Sequence, residues 1–203
     1  MGDFDPDACL PILQRALAGW TSTKPYARIS TAVAGLSGSQ HNINTPDKAN
    51  ATYTSGLLFP IRDDDPDYPA LLMGNYILGA GSLSSRLGTR VRQQEGLSYG
   101  ISSSLSVSSF DKRAGLTITA ICNPQNIGRV EKAVREEIER LLKDGVTTEE
   151  LDKAKQGYLQ SQKVTRSSDT ALAGTLSNFR HLDRTMFYQA ELEQKIDALT
   201  SGQ

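Results

Sequence analysis

The sequence predicts an α+β fold, a mostly antiparallel sheet with helices packed over one face. Stretches in which apolar residues recur at helical spacing alternate with stretches whose period is two. The two clearest period-two stretches, 98–107 and 114–122, are joined by "SFDKRAG", a plausible hairpin connection. The chain has 203 residues, 38% hydrophobic and 22% charged, which suits a single domain spanning residues 1–203. A chain of this length buries a sizeable core without disulfides or a metal staple.

The elements run in order along the chain. "DPDA" (5–8) starts a helix: Asp5 is an N-cap, Pro6 suits the first helical position, and Asp7 complements the dipole. Leu10, Leu13, Leu17 and Trp20 carry that helix to about residue 19. Residues 21–49 are polar and turn-rich, with one short strand expected over 28–33. "ATYTSGLLFPI" (51–61) reads as a strand closed by Pro60. In "RDDDPDYPALLMGNYILGAG" (62–81), Asp65 is expected to cap a buried helix running to about Leu78. Ser82 or Ser84 then caps a further helix to about Glu95, with Gly96 at its C′ position. Beyond it, Tyr99, Ile101, Leu105 and Val107 point one way, and Ser98, Ser102, Ser104 and Ser106 the other. "AGLTITAIC" (114–122) is the second hairpin strand. Ile127, Val130, Val134, Ile138 and Leu141 mark an amphipathic helix ended near Gly145. Thr147 and Glu150 offer a capping box, and two more helices are expected over 168–181 and 186–199.

Composition excludes several functions. With 22 basic and 23 acidic residues, nothing calls for a nucleic-acid partner. No apolar run is long enough to span a membrane, and no signal-peptide pattern is present. Cys9 and Cys122 make neither a disulfide framework nor a metal cluster and read as small buried residues. His41 and His181 stand apart, and no H-x-x-E-H motif or its reverse occurs. There is no G-x-S-x-G elbow and no Walker loop. "GAGSLSSRLG" comes after a helix rather than a strand, so it reads as a helix–helix turn and not as a phosphate cradle. "DDDPD" (63–67) reads as a solvated helix start before it reads as a cation site.

"RVRQQEGLSYG" (90–100) is different. Arg92 sits on a charged helix and Tyr99 opens a strand, with the Gly96–Leu97 corner between them. One reading makes Arg92 a surface charge and Tyr99 the first core residue of its strand. The other puts both at one cleft, where a guanidinium and a phenol donate to carbonyl oxygens of an extended peptide or to an oxyanion formed from one.

"GNYILGAGSLSSRLGTRVRQQEGLSYGISSS" resembles the signature of the C-terminal half-domain of M16 metallopeptidases, the family of pitrilysin, insulinase and the mitochondrial processing peptidases. "GDFDPD", the strand at 51–59 and "VTTEELDKAKQGYLQS" extend the resemblance over most of the chain. It implies a two-layer α+β half-domain that closes with a related half around an unfolded peptide. The partner half, on the same chain or a separate subunit, would carry zinc on H-x-x-E-H, and no metal or other cofactor is expected here. By the family pattern Arg92 would hold a substrate backbone carbonyl and Tyr99 the scissile carbonyl as it becomes tetrahedral. Gly96, Leu97, Ser85 and Arg86 would shape that site. Only Met1 precedes "GDFD", and the chain stops at "IDALTSGQ", so it is expected to be a piece of a longer protein, inactive alone. By resemblance alone its compartment would be the bacterial periplasm. Two other readings stay open: a non-catalytic scaffold like the family's respiratory-complex core subunits, and a module that adds a peptide strand to a sheet edge.

Overall fold

The computed structural model describes residues 2–31, 33, 35 and 37–203. The element order is α1 (Pro6–Leu17), β1 (Ala51–Phe59), α2 (Tyr68–Asn75), β2 (Ser98–Val107), β3 (Ala114–Cys122), α3 (Ile127–Asp144), α4 (Thr148–Arg166), α5 (Asp169–His181) and α6 (Met186–Asp197). The strands form one antiparallel sheet in the order β1-β3-β2, so β2 and β1 are its edges. None of the helices among the described residues is long and apolar enough to cross a membrane.

One face of the sheet is covered. Ile118, Ala120 and Cys122 of β3 are buried against Leu78, Leu87, Val91 and Leu97 and against Val130, Ala133 and Val134 of α3. A second cluster joins α2 to the outer helices through Met73, Ile77, Leu151, Ala154, Leu192 and Ile196. The architecture is the expected α+β sheet with helices on one face.

Local chemistry explains most boundaries. The Asp5 carboxylate accepts from the Asp7 N–H at 2.9 Å and starts α1. Thr147 and Glu150 form a reciprocal capping box on α4, and Ser168 caps α5. Gly145, at φ 68°, ends α3.

Several expectations are corrected. Residues 28–31 form no strand. Arg28 instead makes two 2.7 Å bonds to Asp111 on the β2–β3 turn, and Ser30 and Thr31 bond the same carboxylate. Position 32 of the expected strand lies outside the described residues. Asp65 accepts from the Asp67 N–H within a turn, and the helix starts later, at Tyr68. The acidic run is not merely solvated: Asp63 takes Arg184 at 2.6 and 2.8 Å and Ser109 at 2.6 Å. Burial pushes its carboxyl up, but these bonds outweigh that and hold it below the usual carboxylate range. Cys122 is buried as expected, whereas Cys9 is only partly covered because α1 buries none of its residues.

The glycines of "GAGS" have a steric cause. After Asn75 the helix widens into a π turn, Tyr76–Ala80, that lies against β2. A Cβ on Gly79 would come within 2.6 Å of the Ser103 backbone nitrogen. Gly79 thus lets helix backbone touch strand backbone.

Candidate functional site: the corner between residues 85 and 100

The helix carrying Arg92 starts at Ser85, not at Ser82 or Ser84. The buried Ser85 hydroxyl accepts from the Gly88 N–H at 3.1 Å, a cap bond, while Ser84 Oγ donates back to the Gly81 carbonyl. The expected α-helix then departs from α geometry. Residues Gly88–Gln94 are wound as a π helix, and the Glu95 N–H donates to the Arg90 carbonyl five residues back at 3.0 Å. Such widened turns concentrate at functional sites.

Gly96 comes next with φ 58°, the left-handed conformation expected at C′. Leu97 is then fixed three ways. Its N–H donates to the Val91 carbonyl at 2.8 Å, its carbonyl accepts from Asn126 Nδ2 at 3.3 Å, and its side chain is 2% exposed.

The strand opens on a bulge. Ser98 pairs with Cys122 and Gly100 with Ile121, so Tyr99 has no partner of its own. This reverses the expected facing of the first two residues. Ser98 turns into the core, and Tyr99 turns out, 66% exposed, away from Ile101 and Leu105. The Ser98 hydroxyl clasps the bulge, with the Gly100 and Ile121 carbonyls each at 2.7 Å and the Gly100 N–H donating to it at 3.1 Å. Bulges re-aim side chains in this way.

Three arginines of this segment have separate fates. Arg86 turns to the start of α4, where Nε and Nη2 reach the Glu150 carboxylate at 2.8 and 2.9 Å and Nη2 also reaches the Gly145 carbonyl. The guanidinium draws the Glu150 carboxyl down to about 2. Arg90 is enclosed by Glu95, Glu136 and the buried Glu137. Arg92 is exposed and makes no hydrogen bond or ion pair among the described residues. It lies in the last turn before the corner, and its helix packs on β2. The structure therefore sets Arg92, Gly96, Leu97 and Tyr99 around one corner, leaves Ser85 at the opposite end of the same helix as its cap, and directs Arg86 to α4.

The sequence gives no sign of the π winding, the bulge or the Ser98 clasp, apart from the Ser-x-Gly spacing at 98–100. No group of three His, Cys, Asp or Glu side chains among the described residues could hold a metal ion.

Comparison with known proteins fits this geometry. The family described as "Peptidase M16 inactive domain" matches residues 1–158. A Helicobacter pylori protein named "Non-peptidase homolog YmxG" is 26% identical over 205 residues, covering 98% of this chain and 45% of that protein. The Bacillus subtilis "Uncharacterized zinc protease YmxG" is 34% identical over 86 residues, 42% of this chain and 20% of that one. The crystal structure of a peptidase M16 inactive domain from Pseudomonas fluorescens superposes with a TM-score of 0.76 at 26% identity, covering 99% of this chain and 46% of that one. The chain thus spans less than half the length of each of these three relatives. On the matched length and the shared fold, it belongs to the M16 peptidase family as an inactive, non-zinc half-domain of zinc-protease-like proteins.

Proposed function

We propose that this chain is the substrate-binding half of a zinc-dependent M16 endopeptidase or oligopeptidase. The carrying observation is the corner itself. Arg92 and Tyr99 stand exposed on either side of Gly96–Leu97, and the irregular windings beside them set their directions. Arg92 keeps all its guanidinium donors for a guest, and two of them match a backbone carbonyl on the primed side of the scissile bond. The Tyr99 hydroxyl donates to the scissile carbonyl oxygen as that oxygen gains charge, a bond worth most in the transition state. The described residues offer no donor set for zinc. The metal belongs to a partner half, which supplies the hydrolytic chemistry when joined to this one.

The test is kinetic, on this half joined to a zinc-bearing half. Tyr99→Phe should lower kcat by about 10² with KM little changed, as loss of a single oxyanion donor does. A rise in KM alone would make Tyr99 a plain binding residue. Zinc-dependent hydrolysis by the isolated chain would overturn the assignment of the metal to a partner.

A second reading is favoured by one observation, the name of the Helicobacter relative. In it the chain is a non-catalytic member, a scaffold or a peptide binder. No peptide hydrolysis by the joined, zinc-loaded halves would select it.

A further inference from the structure

The Arg90–Glu95 ion pair is tied to the winding of the helix that carries it. In an α helix, residues five apart stand about 140° apart around the axis, and their side chains do not meet. Here Arg90 Nε reaches Glu95 Oε1 at 2.9 Å, and the same two residues share the π hydrogen bond from the Glu95 N–H to the Arg90 carbonyl. The ion pair is thus open to the wide winding and denied to the α winding.

Arg92 lies inside the ring that this hydrogen bond closes. The wide winding also frees an acceptor. In an α turn the Glu95 N–H would take the Val91 carbonyl. That carbonyl is left instead to the Leu97 N–H, at 2.8 Å, beneath the corner.

The helix α3 keeps Arg90 in place. Arg90 Nη1 bonds Glu137 at 3.1 Å, and Nη2 bonds Glu136. The Glu137 side chain is 3% exposed, and Arg140, which also bonds it, is 57% exposed. A buried carboxylate stripped of its partner is costly, so Glu137 holds the guanidinium where Glu95 must come to meet it. Arg129 of α3 approaches the other oxygen of Glu95 at 3.7 Å.

We propose that Glu95, through Arg90 seated on Glu137, is a positioning residue for Arg92: the ion pair locks the helix wide, and the wide turn sets the direction in which Arg92 leaves it. The proposal rests on the reading above, that Arg92 binds substrate. Its consequence is that charges without contact to the guest tune how tightly this half holds it.

The first measurement is amide exchange on the full chain. Glu95→Ala should speed exchange of the residue-95 and Leu97 amides about threefold, the shift that loss of an exposed ion pair brings. Glu131→Ala removes a carboxylate of similar exposure from α3, one paired to Arg135 and not to the corner, and should leave both amides unchanged. Glu95 is on the surface, so folding should survive, and in the wild type added salt should speed the same two amides. The second measurement is a kinetic cycle on this half joined to a zinc-bearing half. Glu95→Ala should raise KM about threefold with kcat unchanged, and should add nothing in an Arg92→Ala background.

Unchanged exchange at both amides would overturn the lock. An equal rise in KM with and without Arg92 would overturn the positioning role, since Glu95 would then act on the fold at large. A raised KM in Arg92→Ala beside a normal KM in Glu95→Ala removes the inference and keeps the substrate reading. A normal KM in Arg92→Ala removes the substrate reading and the positioning role with it, whatever the exchange shows.

Discussion

Ile118 and Thr119 are neighbours in β3 and live in different surroundings. Ile118 is 2% exposed in the cluster with Leu78, Val91 and Val134. Thr119 lies between Thr54 and Ser102 on the open side. The same alternation runs along the strand, with Ala120 and Cys122 fully buried and Thr117 and Ile121 on the outer face. The inner face carries the stability of this half. The outer face is thereby free to be polar, because removing it from water contributes little to folding.

The difference can be measured residue by residue. Ile118→Ala should cost about 2–5 kcal/mol in chemical denaturation, as large-to-small changes at fully buried sites do. Thr119→Ala, one position along, should stay within about 0.5 kcal/mol. Equal costs would mean that the open face is packed against something. Gly79→Ala tests how closely the helical layer must approach the inner face. Its new methyl meets the Ser103 backbone, so about 1–3 kcal/mol of stability should be lost. A neutral result would show that the π turn moves away from β2 freely. Ser98→Ala tests the crossing between the faces, since it leaves the bulge without its clasp. A loss of about 1 kcal/mol is expected, together with faster amide exchange at Gly100. Unchanged exchange there would show that the bulge holds without the hydroxyl.

The sequence carried much of this and hid a definite remainder. Asp5, Thr147 with Glu150, and Gly96 are short-range signals, read within four residues, and each does what its type predicts. The π winding was hidden because five to seven residues are too few to separate it from an α period. The bulge was hidden because Ile101, Leu105 and Val107 set the phase of β2 correctly, and nothing in the pattern marks the shift that puts Ser98 and Tyr99, the two residues before it, out of that phase. The Arg184–Asp63 and Arg28–Asp111 pairs join positions 121 and 83 residues apart, beyond any local pattern. The identity of Arg92 and Tyr99 as candidates was legible from the resemblance. The exposure of Arg92 was legible too, from its charged helix, whereas for Tyr99 the strand rule pointed to the wrong face.

The π winding and the bulge have one thing in common. Each is a regular element with a single residue inserted: the wide turn holds one more than an α turn, and the bulge sets two residues against one. The corner thus contains two such insertions, one on either side of Gly96–Leu97. Its aim is set by residue count as well as by residue type. Deleting one residue within 88–94 would remove the inserted residue, let the turn close to α winding and change the direction in which Arg92 leaves it. Deleting one within 98–100 would return the tyrosine to the inner phase of the strand. Chains of this kind that differ by one-residue gaps at these two places differ in where the pair points, even where every letter of the motif is kept.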